Sequence, residues 1–149
     1  MEAIRAQMLR MSRTLIRIDE IYYHAAKKLN VTENMLALLY ALNDGQTHTQ
    51  KQISQEWMIP KTTINTLIQE CIAMGYVDLK PQAREKEICL TPLGKTCVEM
   101  LLKPLYAAEQ AALEAAPPNL LPELERYAQR LQSEFDRQIK QGDFYENAN

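Results

Sequence analysis

Ile4, Met8, Met11, Leu15, Ile18, Tyr22, Ala25 and Leu29 step along the N-terminal segment by four and three residues in strict alternation. Such steps keep side chains on one face of an α-helix. Leu9, Ile16 and Tyr23 add a flanking row at seven-residue spacing. A helix of about 26 residues is about 39 Å long, too long a stripe for a small domain to cover by itself. It needs a partner helix along its length.

The far end of the chain supplies candidates. Beyond the break "APPNLLP", Leu124, Tyr127, Leu131, Phe135 and Ile139 repeat the spacing. A second long apolar helix is expected from about Pro92 towards Ala116, with Thr91 as N-cap and Pro92 at the first helical position. Long helices with apolar seams at both ends bury themselves most simply against each other and against a second copy of the chain. Residues 1–32 and 92–149 therefore read as a dimerisation domain flanking a distinct middle segment, 33–91.

A chain of 149 residues with four glycines, rich in Leu, Ile, Ala, Glu and Gln, points to a mainly α protein. No run of about 18 apolar residues suggests a membrane span, and "MEAIRAQMLRMSRT" has no signal-peptide core. A cytoplasmic protein is expected. Cys71, Cys89 and Cys97 are an odd number without C-x-x-C spacing, which argues against a disulfide framework and a zinc site. Each sits in an apolar pattern and reads as a small buried hydrophobe, with a redox-sensing thiol as the alternative. No cofactor is implied.

The net charge of −2 conceals a gradient. Residues 1–32 carry six Lys/Arg against three Asp/Glu, residues 33–95 six against seven, and residues 96–149 five against nine. An acidic tail lowers the global charge without touching a working face elsewhere.

The middle segment is built of short elements. "TENMLALLYAL" is a short helix capped by Thr32 and ended by "NDG". "TQKQISQEWMI" is another, with Ile53, Trp57 and Met58 expected to turn inward. After a turn marked by Pro60 comes "PKTTINTLIQECIAMGYV". Then "YVDL" and "EICL" alternate as two short strands around the charged loop "KPQAREKE". Helix, helix, helix and a hairpin with a charged tip is the order of a winged helix-turn-helix. His48 in "DGQTHTQ" reads as a loop residue near a helix start.

In the Pro60 segment, Ile64, Leu67, Ile68 and Cys71 share one helical face. Thr62, Asn65, Thr66 and Gln69 fall on the outer half, with Lys61 and Thr63 on its flanks. Leucine, alanine or glutamate would make a better helix there, and no acidic residue appears before Glu70. The composition suits a major groove: Asn and Gln pair with adenine, Thr offers a methyl to thymine, and Lys61 reaches guanine or phosphate. A solvated helix face is the plainer alternative. At the hairpin, Lys80, Arg84 and Lys86 offer a second contact, with the arginine suited to a minor groove. Glu85 and Glu87 temper its charge, and a loop that merely keeps an edge soluble is the alternative.

Together these residues resemble the MarR family of transcriptional regulators over nearly the full length. The resemblance is carried by "QKQISQEWMIPKTTINTLIQECIAMGYVDLK", by the wing ending "REKEICLTPLGK" and by the flanking long helices. "WMIPKTTIN" is similar to a subgroup pattern in which Trp-x-x-Pro-Lys opens the recognition helix. Leu90–Thr91 followed by Gly94 matches the family's exit from the wing. The resemblance implies a homodimer on a pseudo-palindromic operator, with Lys61, Thr62, Thr63, Asn65 and Thr66 in the major groove of double-stranded DNA. Repression is the expected outcome of binding. Arg84 matches the arginine of the family's Asp-x-Arg wing motif, while Gln82 stands where that motif has aspartate.

The resemblance further implies release of DNA by a small aromatic or lipophilic effector. Tyr22, Tyr23, His24, Met35, Tyr40 and Trp57 are the candidates to line its cleft, although such residues are also ordinary core. The redox branch of the family uses a cysteine in or near the first helix. None precedes Cys71 here, so that route is not expected. Nor is an enzyme: the two histidines, the cysteines and the carboxylates offer no nucleophile–base–orienter set. The stronger rival is a winged helix that binds protein rather than DNA.

Overall fold

The computed structural model describes residues 1–82 and 85–140. Among these residues lie six helices and three strands: α1 (Glu2–Lys28), α2 (Glu33–Leu42), β1 (His48–Thr49), α3 (Gln50–Glu56), α4 (Lys61–Ala73), β2 (Val77–Gln82), β3 (Glu85–Leu90), α5 (Pro92–Glu114) and α6 (Leu120–Lys140). The mainly α winged helix-turn-helix read from the sequence is the observed fold. The chain divides into two compact units, Met1–Leu105 and Tyr106–Asn149, and α5 runs across the boundary.

Within the first unit the core gathers around α2 and α4. Leu38 and Leu42 of α2, Ile53 of α3, and Ile64, Ile68 and Cys71 of α4 are fully buried. Val77, Ile88, Val98 and Leu102 join them from the hairpin and from α5. Three of the helices start where their caps dictate. Thr32 Oγ1 accepts from the Met35 amide at 3.2 Å. Thr49 and Gln52 exchange hydrogen bonds as a reciprocal capping box ahead of α3. Thr91 Oγ1 accepts from the Gly94 amide at 2.9 Å and donates to the Gly75 carbonyl at 2.6 Å, joining the start of α5 to the end of α4.

The sheet has the order β1-β3-β2, antiparallel throughout. Val77 pairs with Leu90, and Leu79 with Ile88. His48 is therefore not a loop residue: it pairs with Ile88 in the two-residue β1. Its ring nitrogen Nε2 lies 3.0 Å from Asp44 Oδ1, across the turn that contains Gly45. Short-range sequence patterns carry no signal for a strand of two residues, because its pairing is set by the wing.

The turn between α3 and α4 corrects another expectation. Trp57 and Met58 do not turn inward; Met58 is 89% exposed, and Ile59 is buried in their place. Met58 adopts φ 51, the left-handed conformation that commonly closes a helix. That rotation takes the chain out of helical phase, so the apolar side chain one residue later reaches the core. Ser54 fixes the turn by donating its hydroxyl to the Ile59 carbonyl at 2.6 Å.

α1 buries only Ala26; Ile4, Leu9, Leu15, Ile16, Ile18 and Ile21 are exposed. In the second unit α6 buries no residue and exposes Leu124, Leu131, Phe135 and Ile139. Its polar face carries two pairs one turn apart in sequence, Glu123–Arg126 at 3.2 Å and Glu134–Arg137 at 2.6 Å. Solvated pairs of this kind add little stability. Among the described residues no helix is long and apolar enough to cross a membrane.

Candidate nucleic-acid interface and aromatic cleft

α4 begins at Lys61 immediately after Pro60, whose φ of −56 suits a helix start and which supplies no side-chain cap. Ile64, Leu67, Ile68 and Cys71 face the core. Lys61, Thr62, Asn65, Thr66 and Gln69 are exposed, and Thr63 is half-buried. The polar stripe read from the sequence is thus one continuous accessible face. Two local bonds shape it. Thr66 donates its hydroxyl back to the Thr62 carbonyl at 3.1 Å, which leaves its methyl free of that bond. Gln50 of α3 donates Nε2–H to Asn65 Oδ1 at 3.2 Å.

Sequence reasoning missed Gln50 and Lys51, which line a shallow recess with Lys61, Ile64 and Asn65. The available signal was their position at the start of the helix preceding α4. On the hairpin, Lys80 and Lys86 are exposed and lie on neighbouring strands, Lys86 opposite Pro81. Arg84 lies outside the described residues.

The cleft candidates divide. Tyr22, Tyr40 and Trp57 come together around an open cleft of about 440 Å³ whose walls also include Asp19, Glu33, Leu36 and Ala37. The Tyr40 and Trp57 rings lie 5.6 Å apart at 56°. Tyr23 and His24 are elsewhere on α1. Their exposed rings touch edge to face at 5.5 Å, Lys27 Nζ sits 4.3 Å over the Tyr23 ring, and His24 lies 3.7 Å from Glu20. Met35 is buried and lines a different cavity of about 470 Å³ with Leu39, Met74, Tyr76, Cys97 and Leu101. Asp19 and Glu33 escaped the sequence reading. Asp19 precedes Tyr22 by three residues on one helical face, and Glu33, Leu36, Ala37 and Tyr40 are likewise spaced by three and four. The spacing was legible; the pairing of the two faces was not.

The cysteines are not alike. Cys71 is fully buried and its thiol donates to Met35 Sδ at 3.7 Å. Burial, reinforced by the neighbouring Glu70 charge, pushes that thiol up to about 11. Cys89 and Cys97 are half-buried rather than core. A hydrogen bond with Cys97 raises the Tyr76 phenol above its ordinary value. Among the described residues no group of His, Cys, Asp and Glu could hold a metal ion.

Residues 29–86 match the MarR family model. The fold is similar along most of the chain to several solved structures. A MarR family regulator from Neisseria meningitidis, NMB1585, superposes with a TM-score of 0.76 at 18% identity, over 92% of this chain and 99% of that one. The transcriptional regulator BldR from Sulfolobus solfataricus gives 0.63 at 16% identity, over 85% and 96%. A putative MarR family transcriptional regulator from Listeria monocytogenes, solved with a 26mer DNA, gives 0.62 at 18% identity, over 90% and 94%. No curated protein matches by sequence.

Proposed function

We propose that the chain, whose residues 29–86 match the MarR family model, is a transcriptional regulator of that kind and a homodimeric, sequence-specific reader of double-stranded DNA. One observation carries the reading: α4 presents Lys61, Thr62, Asn65, Thr66 and Gln69 on one exposed face, with no carboxylate before Glu70. Amide and hydroxyl groups there meet base edges, Lys61 meets guanine or phosphate, and Thr63 supports the flank. Lys80 and Lys86 of the wing supply a second contact, to phosphates, and Arg84, the candidate read from the sequence, reaches the minor groove.

The dimer follows from the apolar residues that α1 and α6 leave exposed, among them Ile4, Leu15, Ile16, Leu131 and Phe135. Large exposed apolar patches mark an interaction surface, and a second copy covers them with a symmetric one. Two reading helices then face two half-sites of a pseudo-palindromic operator. Bound upstream of a gene, such a dimer represses by occupying the promoter. An effector in the cleft of Tyr22, Tyr40 and Trp57 releases it, since Trp57 closes α3 only four residues before α4 begins. The DNA-bound Listeria relative supports this reading by likeness of fold.

The test is selection from random duplexes followed by fluorescence anisotropy at several salt concentrations, with Thr62→Ala/Asn65→Ala as control. Recovery of a two-fold symmetric site, bound in a salt-dependent way and lost in the variant, is expected. Enrichment of no sequence, with equal binding by the variant, would sink the DNA reading and favour a protein partner.

A further inference from the structure

The geometry points to an organic cation, an aromatic or alkyl ammonium compound, as the ligand class of the cleft between α1 and α2. This rests on the effector reading above and goes further, since that reading left the ligand's charge open. The walls combine two carboxylates, Asp19 and Glu33, with three aromatic rings, Tyr22, Tyr40 and Trp57. Among the described residues no Lys, Arg or His lines the cleft. A ring face attracts a cation through its quadrupole, most strongly for tryptophan. Asp19 and Glu33 are both exposed, so their charges add an attraction that water screens but does not abolish.

An anion meets the opposite field. It would approach two negative groups with no basic side chain on the walls. The start of α2 offers a partial positive charge, but Glu33 occupies its first position and Thr32 already takes the Met35 amide. A neutral aromatic would stack on the rings and forgo the carboxylates. At about 440 Å³ the cleft suits a ring bearing a quaternary ammonium group.

Trp57 is the sole tryptophan, so its fluorescence reports occupancy directly. The experiment titrates the full-length protein with benzyltrimethylammonium, with its uncharged isostere neopentylbenzene and with benzoate, following Trp57 emission and operator anisotropy in parallel. Saturable quenching by the cation is expected, about tenfold tighter than by the neutral isostere, with benzoate weakest. Asp19→Asn and Glu33→Gln, shown folded by circular dichroism, should each weaken the cation severalfold and leave the neutral compound unchanged. Equal or tighter binding of benzoate or of the isostere would overturn the cationic class while leaving the cleft an effector site. Quenching by none of the three at millimolar concentration would overturn the inference, with operator binding still judged by its own signal. Charge-selective quenching without loss of operator affinity would uphold the cation site and remove its effector role.

Discussion

Gln50 of α3 holds Asn65 of α4 through a 3.2 Å hydrogen bond from Nε2 to Oδ1, so α3 orients one of the exposed amides of α4. A carbonyl oxygen keeps a second lone pair, and the Asn65 amide N–H groups remain to donate. Asn65→Ala is expected to weaken operator binding by about 1–3 kcal/mol and to relax preference for adenine at one position per half-site. Gln50→Ala should cost less, and the double variant little more than Asn65→Ala alone, because the two act through one group. A double-mutant cycle by anisotropy measures this. Additive losses would mean that Gln50 touches DNA independently.

Lys61 stands at the first turn of α4 and is exposed. If it neutralises a phosphate in each half-site, Lys61→Ala lowers affinity for every duplex alike. The slope of log affinity against log salt should then become shallower by about 1 for each phosphate the variant no longer neutralises. An unchanged slope with altered base preference would place Lys61 on guanine instead.

Met58 is turned to solvent in a left-handed conformation at the end of α3. Glycine reaches that conformation without the steric cost borne by other residues. Met58→Gly should therefore stabilise the fold by up to about 1 kcal/mol, seen as a higher denaturation midpoint in urea. A lower midpoint would show that the methionine makes compensating contacts.

Gly94 lies where a Cβ atom would overlap the backbone carbonyl of Tyr76. The Tyr76 carbonyl is held in place by the Thr91 amide at 2.9 Å, so it cannot withdraw without breaking the junction of α5 with the wing. Gly94→Ala is expected to destabilise by about 1–3 kcal/mol, measured by chemical denaturation. A neutral result would mean that α5 shifts freely at its start.

The Cys71 thiol is pushed up to about 11 by burial and by Glu70. In the native protein it should resist alkylation at pH of about 8, while Cys89 and Cys97 react; mass-resolved labelling distinguishes the three. The sign for stability follows from proton binding. The unfolded thiol loses its proton near its ordinary value of 9.0, whereas the folded one keeps it to about 11. The unfolded chain thus binds fewer protons in that window, and stability falls as pH rises through it. Cys71→Ala should remove that part of the alkaline decline.

Periodicity within single elements was legible in the sequence. The alternating stripe of α1, the core face Ile64–Leu67–Ile68–Cys71 and the caps Thr32 and Thr91 depend on residues within a few positions of one another. The polar face of α4 was legible for the same reason, being whatever the core face leaves outside.

Relations between elements were decided by the tertiary structure. A left-handed Met58 put Ile59 rather than Trp57 into the core, and the wing drew His48 into a strand. Six residues shared the chemistry of a cleft lining, but only the packing of α1 on α2 separated Tyr22, Tyr40 and Trp57 from Tyr23, His24 and Met35. The same packing set Asp19 and Glu33 beside the three rings. The physical reason is range. Helical phase and capping are set by covalent geometry and neighbouring side chains, which a sequence states directly. Which two faces meet depends on the packing of the whole core, which one segment's pattern does not contain.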